Sequence, residues 1–457
     1  MLFQTHVFLL AFLPAVVVGW FALAGMPRAR EWFLVLASLF FYGWWDVRCL
    51  PILLGMGAVT WIAAVASSRR SGARGRPLLV AAIVFNLAVL AFFKYAAFLA
   101  ENVAALFGLQ APPLGIVLPI GISFYTFELV SYLIDLGWRG APLYNVRHFS
   151  LFVTFFPRLI AGPIVRHDEI IPQFKLDPMR EGAAERFARG LLILTLGLIE
   201  KVALADQLAP IADAAFTPGA SLPLLAAWSG ALAFTFQLFF DFAAYSQMAI
   251  GIALMLGITL PPNFEAPYAA TSLREFWRRW HMTLSRYLRD YLYIPLGGDR
   301  QPWRGYALTT LITMGLCGLW HGAGWLFVAW GLLHGVGLLV CRAWQKAGFA
   351  LPALAGGVLT FLFVVFGWVL FRAPSVEVAV AVSKGMLGLN GFGGKLEQPL
   401  LMLVAAGLSL IHPPLYQRIL ASPALPYAVA AGAGLALTAV VFATGSGTPQ
   451  NFIYFQF

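Results

Sequence analysis

The chain reads as an all-α polytopic integral membrane protein, and three observations carry that reading. Sixty per cent of its 457 residues are hydrophobic and 11% are charged, whereas a soluble protein of this size carries about 25% charged residues. Apolar runs long enough to cross a bilayer, roughly 20 residues for a helix, recur along almost the whole length. The basic residues gather in short stretches between those runs, as they do in cytoplasmic loops.

Taken in order, the first run is Leu2–Met26, which includes Ala22-Leu23-Ala24, a sequence resembling a signal-cleavage site. Secretory signals place their positive charge ahead of the apolar core, but here Arg28 and Arg30 follow it. A retained first helix is predicted, with its N-terminus outside and both arginines in the cytoplasm. The basic loop holding Arg69, Arg70, Arg74 and Arg76 obeys the same rule if two crossings lie between. Spanning or embedded segments are predicted near 4–25, 31–47, 51–66, 77–93, 114–135, 148–162, 188–208, 222–259, 307–341, 354–371, 398–411 and 425–444. The stretches 222–259 and 307–341 are too long for one simple crossing. Each is a tilted helix, a kinked one, or two elements joined inside the protein. Gly315, Gly318, Gly322, Gly324 and Gly331 supply flexible points in the second.

Two polar inserts, 163–187 and 262–306, separate these segments. Ser272–Tyr291 contains neither Gly nor Pro and mixes Trp277, Trp280, Tyr287 and Tyr291 with five arginines. It is predicted to be a helix lying in the interface. No internal repeat or low-complexity segment is evident, so one domain spanning 1–457 is expected. The net charge of +10 is assigned to cytoplasmic loops and nearby anionic headgroups, not to nucleic acid. Cys49, Cys317 and Cys341 are odd in number and lie in or beside apolar runs. They read as small buried hydrophobes, not as a disulfide framework.

The strongest chemical lead is His321, inside a stretch (307–341) with no Asp, Glu, Lys or Arg. An imidazole at membrane depth is costly, which marks it as a functional site, and its ordinary pKa suits proton transfer. His334 follows thirteen residues on and would face elsewhere if one helix continued unbroken. Arg274, Arg278, Arg279, Arg286, Arg289, Arg300 and Arg304 either form a belt against lipid phosphate or line a pocket for a polyphosphate ligand. Asp241 and Asp135 either tie helices together or take part in chemistry, and Glu200-Lys201 reads as an interfacial ion pair. His6, His148 and His412 sit near segment ends and need no special role. Phosphate-loop, zinc-protease and nucleophile-elbow motifs are missing. No metal site is expected, since the adjacent His167-Asp168-Glu169 cannot readily converge on one ion.

Several long motifs occur together: Phe155-Phe156-Pro157-Arg158-Leu159-Ile160-Ala161-Gly162-Pro163-Ile164; Phe276-Trp277-Arg278-Arg279-Trp280-His281-Met282-Thr283-Leu284-Ser285; Tyr287-Leu288-Arg289-Asp290-Tyr291-Leu292-Tyr293-Ile294-Pro295-Leu296-Gly297-Gly298; and Gly318-Leu319-Trp320-His321-Gly322-Ala323. Leu118–Phe127, Phe240-Asp241-Phe242 and the aromatic tail Asn451–Phe455 accompany them. In these the chain resembles the membrane-bound O-acyltransferases, in particular their bacterial alginate O-acetyltransferase-like branch, strongly over 115–345. The resemblance implies about 11 tilted transmembrane helices, each about the length that spans a bilayer, plus interfacial or re-entrant helices around a central funnel. It implies His321 as the essential histidine and His281 as the second catalytic position. Trp277, Arg278, Arg279, Trp280, Ser285, Arg289, Asp290, Trp320 and Asp241 are the substrate-binding set it suggests. Arg158 departs from the pattern, which has a neutral polar residue such as Gln there, and this leaves the acceptor open.

The expected reaction has His321 take the proton of an acceptor hydroxyl as it attacks the thioester of acetyl-CoA, with no permanently bound cofactor. His281 would orient the donor carbonyl or stabilise the oxyanion. The expected setting is the bacterial inner membrane, with an exopolysaccharide or cell-wall polymer as final acceptor. A periplasmic SGNH-type acetyltransferase is expected as partner, because the longest polar insert is too small to handle a polysaccharide. A teichoic-acid D-alanyl transferase drawing on a carrier-protein thioester is the rival enzyme. A proton-coupled transporter with His321 and Asp241 along its path is the rival from another class.

Overall fold

The computed structural model describes residues 1–70 and 72–411, together with 432, 434, 436, 437, 439, 452 and 453. His412, most of the span expected near 425–444 and most of the aromatic tail lie outside the described residues. The helices, in order, are α1 (Leu13–Ala22), α2 (Pro27–Gly43), α3 (Leu50–Ser68), α4 (Arg76–Leu106), α5 (Ile122–Trp138), α6 (Val146–Thr154), α7 (Phe156–Leu159), α8 (His167–Phe174) and α9 (Ala183–Glu200). They continue with α10 (Asp206–Ala215), α11 (Leu224–Met255), α12 (Leu273–Arg279), α13 (Met282–Leu288), α14 (Trp303–His321), α15 (Trp325–Lys346), α16 (Ala353–Arg372), α17 (Val376–Met386) and α18 (Pro399–Ile411). Among the described residues, five helical stretches are long and apolar enough to cross a membrane: Val47–Ser68, Arg76–Leu106, Leu224–Met255, Trp325–Lys346 and Ala353–Arg372. The chain is a multi-pass helical membrane protein.

It divides into two compact units. The first takes Met1–Thr195, Tyr245–Pro261 and Pro423–Pro449. Within it, α3, α4 and α5 meet around Leu79, Ala82 and Leu133. A polar side chain in such a place must find a partner, and Asn86 of α4 donates to Thr60 Oγ1 of α3 at 2.9 Å and to Ala82 O at 2.8 Å. Arg158 is fully enclosed, paired with Glu128 and stacked over Phe152. Arg30, expected as a loop charge, is instead 1% exposed in the first turn of α2. Its guanidinium donates to Phe174 O and Leu176 O and lies 4.7 Å over the Trp20 ring, so the carbonyls ending α8 take over the role of solvent.

The second unit takes Leu196–Ala244, Pro262–Ser422 and Gln450–Phe457. Within it α14 packs on α15, where Gly318 lies against Phe327 O and Gly331 against Met314 O so closely that any Cβ would collide with backbone. The expected long element 307–341 is therefore two helices, broken at a turn over Gly322–Gly324 in which Gly322 and Gly324 are extended. By contrast, 222–259 contains one continuous 32-residue helix, α11.

The single interfacial helix expected over 272–291 is not found. The chain forms α12 and α13, separated at Trp280–His281, and His281 adopts a left-handed backbone (φ 42°, ψ 54°). The cause is the loop 263–265. It supplies Glu265 N–H to Arg279 O at 2.9 Å and Asn263 O to Met282 N–H at 2.8 Å. Those are orphan groups at the end of one helix and the start of the next, so an uninterrupted helix would forfeit both bonds.

Gly331→Ala is expected to cost about 1–3 kcal/mol by overpacking, read as a lower unfolding midpoint in detergent. A midpoint equal to wild type would show that α14 and α15 do not touch there.

Candidate active site

The second unit gathers three histidines and the aromatic residues between them. His321 ends α14 and is 3% exposed. Its ring lies 5.0 Å from Trp320, 5.2 Å from Trp330 and 5.3 Å from Phe371, centroid to centroid and close to edge-on in each case. His281 stands 6.5 Å from His321, with Phe242 at 4.7 Å and Trp320 at 6.1 Å. The break between α14 and α15 brings His334 back toward this group: Trp330 is 4.8 Å from His334. One indole thus lies beside both imidazoles, which an unbroken helix would have separated.

His281 lies outside the spanning helices and is fully buried. Desolvation pulls its pKa down to about 3, so the ring is neutral at physiological pH. Its Nδ1 meets Asn263 Oδ1 at 3.1 Å. Asn263 escaped the sequence reading, because an Asn after Pro261-Pro262 signals only a turn. Trp330, Phe371 and Trp368 escaped it too, since aromatic residues on an apolar helix look like ordinary core.

The remaining expected residues divide by environment. Trp277 is buried, and its indole Nε1 donates to His334 Nδ1 at 3.2 Å. Trp280 is buried against Phe264 (5.1 Å), Phe276 (5.6 Å) and Trp368 (4.9 Å). Ser285 Oγ donates to Trp280 O at 3.3 Å. Arg278 is exposed on α12, Arg279 is paired with Glu275 at 2.6 Å, and Arg289 with Asp290 at 2.7 Å. Asp241 is 2% exposed and joined through Oδ1 to Lys201 Nζ at 2.7 Å, while Oδ2 accepts the Ile453 N–H at 2.7 Å. Lys201 also reaches Asp206 at 2.7 Å. The Glu200-Lys201 interfacial pair is corrected accordingly: the 4% exposed Lys201 turns inward, where the charges of Asp241 and Asp206 compensate the desolvation of its ammonium. In the first unit Asp135 holds Arg139 at 3.1 Å and faces His167 Nε2 at 3.3 Å. Among the described residues no cluster of three or more His, Cys, Asp or Glu could hold a metal ion.

A buried imidazole among apolar rings, as at His321, can exchange a proton away from bulk water. The family model of the membrane-bound O-acyltransferases matches residues 140–380, just over half of the chain, and the match contains all of this cluster except the tail. The chain belongs to the membrane-bound O-acyltransferase family. Among its relatives is a peptidoglycan O-acetyltransferase of Helicobacter pylori, 41% identical over 428 residues, covering 86% of this chain and 80% of that one. A probable alginate O-acetylase of Pseudomonas aeruginosa is 42% identical over 413 residues, covering 85% and 75%. A teichoic acid D-alanyltransferase of Streptococcus thermophilus is 31% identical over 243 residues, covering 50% and 57%. The protein is thus an enzyme, a membrane acyltransferase.

Two substitutions test how this acyltransferase holds its cluster. Trp277→Phe strands His334 Nδ1 without a donor and is expected to cost about 1–3 kcal/mol; in a His334→Phe background the same change should cost less, which a double-mutant cycle of unfolding midpoints would show. Lys201→Met leaves the buried Asp241 and the half-buried Asp206 without their shared cation and is expected to cost about 3–5 kcal/mol, more than Asp241→Asn. The reverse order would mean that the lysine is not the centre of that network.

Proposed function

We propose that this enzyme takes acetyl from cytoplasmic acetyl-CoA and passes it across the bacterial inner membrane for O-acetylation of an exopolysaccharide or cell-wall polymer. What carries the reading is the buried His321, 6.5 Å from His281 within an aromatic enclosure, in a chain whose 41–42% identical relatives are named for O-acetylation of peptidoglycan and alginate. His321 accepts the proton of an acceptor hydroxyl as that oxygen bonds to the acetyl carbonyl carbon. The carbon–sulfur bond then breaks, and the proton returns to the departing thiolate of CoA. In this reading the exposed Arg278, with Arg300 and Arg304, also exposed, meets the donor's phosphates on the cytoplasmic side. Arg279 and Arg289, held by Glu275 and Asp290, serve mainly to fix the helices that carry them. A periplasmic SGNH-type acetyltransferase receives the acetyl group and delivers it to sugar hydroxyls.

Purified protein in nanodiscs, given radiolabelled acetyl-CoA and a partner extract, is expected to release CoA and transfer label. His321→Ala should lower that rate by about 10²–10⁴, the range of a lost general base, with unchanged thermal unfolding. Equal rates in wild type and His321→Ala would take the histidine out of the chemistry. Turnover only with an acyl carrier protein would assign the donor to the teichoic-acid type of enzyme.

A further inference from the structure

Asn263 is 1% exposed and meets the chain just after the α12–α13 break through four bonds. Its backbone oxygen accepts from Met282 N–H at 2.8 Å. Its side-chain Oδ1 accepts from Thr283 N–H at 3.3 Å and from Thr283 Oγ1 at 3.0 Å, and lies 3.1 Å from His281 Nδ1. A backbone amide can only donate, so the amide atom turned toward Thr283 is the oxygen and not the nitrogen. An oxygen can bond His281 Nδ1 only if that nitrogen carries the hydrogen. In a neutral ring the proton on Nδ1 leaves a bare lone pair on Nε2.

That Nε2 is buried and has no hydrogen-bond partner among the described residues. Phe242, Trp320 and His321 are the rings beside the His281 imidazole. Buried polar atoms in native proteins are nearly always paired, and an unpaired one within a catalytic enclosure marks a place for a ligand group. The left-handed backbone at His281 supports the same conclusion, because strain of this kind persists where surrounding bonds over-determine it. Here the bonds nearest His281 come from Asn263, with Glu265 N–H holding Arg279 O beside them.

We propose that Asn263 is a positioning residue that holds His281 as the Nδ1–H tautomer, so that His281 acts on substrate as a hydrogen-bond acceptor through Nε2. The group it fits is an N–H or O–H donor on a bound substrate. An acceptor nitrogen repels an oxyanion, so His281 orients substrate and does not stabilise the tetrahedral oxygen. The inference rests on the acyl-transfer reading for its consequence, but the tautomer can be read without any turnover.

The experiment is imidazole ¹⁵N NMR of histidine-labelled protein in nanodiscs, with seven histidines to resolve and the His281 signals assigned by their loss in His281→Gln. Wild type is expected to show a protonated Nδ1 and a lone-pair-type Nε2. Asn263→Ala should convert His281 to mixed tautomers and lower kcat at least about tenfold with the KM for acetyl-CoA within about threefold, the pattern of a lost orienting interaction. Thr283→Val, which removes a single bond to Asn263, should keep both the tautomer and most of the rate. A protonated Nε2 in wild type overturns the proposal even if Asn263→Ala fails to fold. So does an Asn263→Ala protein that keeps the tautomer or the full kcat. Absence of turnover with acetyl-CoA in wild type would count against the donor assignment, while the NMR still decides the tautomer.

Discussion

The site hangs on backbone contact between α14 and α15. Gly318 and Gly331 let the two helices approach until the backbone of one lies against that of the other, a distance that no side chain permits. Without water between them, apolar helices gain nothing from hydrophobicity and depend on such close packing. The break at Gly322–Gly324 then reverses the chain, so Trp330 of α15 lies against His321 of α14. Trp330 in turn carries His334, and His334 holds Trp277 of α12. The aromatic enclosure is therefore a consequence of two glycines and a short break, propagated through rings.

Several buried polar groups of the second unit are held by another element. Asp241 is bound by Lys201 and by the backbone of Ile453, and Phe242, its neighbour, packs on both His281 and Phe452 at 4.7 and 6.0 Å. The residues preceding α12 serve α13 in the same way, with Asn263 supplying the acceptors that an unbroken helix would have found internally. The cost of burying these groups is offset by bonds that also set geometry.

Some of this was readable without coordinates. His321 stood out because a titratable group in a charge-free stretch of 35 residues contradicts its surroundings, and glycine spacing pointed to the break that follows it. The left-handed turn at His281 was not readable, since Ser272–Tyr291 contains no Gly or Pro and satisfies helical patterning throughout. Lys201 looked like a partner for its neighbour Glu200, and Arg30 like a loop charge. The Asp241 partner of Lys201 and the carbonyl partners of Arg30 lie in segments distant in sequence, and local pattern carries no information about them.

The sequence by itself determined the membrane-spanning class and the family, and it singled out His321 as a candidate. These depend on hydropathy, charge spacing and contiguous motifs, all of which are local. Only the tertiary structure decided that His334 joins the His321 group, that Asn263 meets His281, and that Asp241 is tied to Lys201 and Ile453. Those outcomes depend on helix breaks and on which buried polar atoms find each other across the fold, and burial makes such pairings obligatory without specifying them in advance.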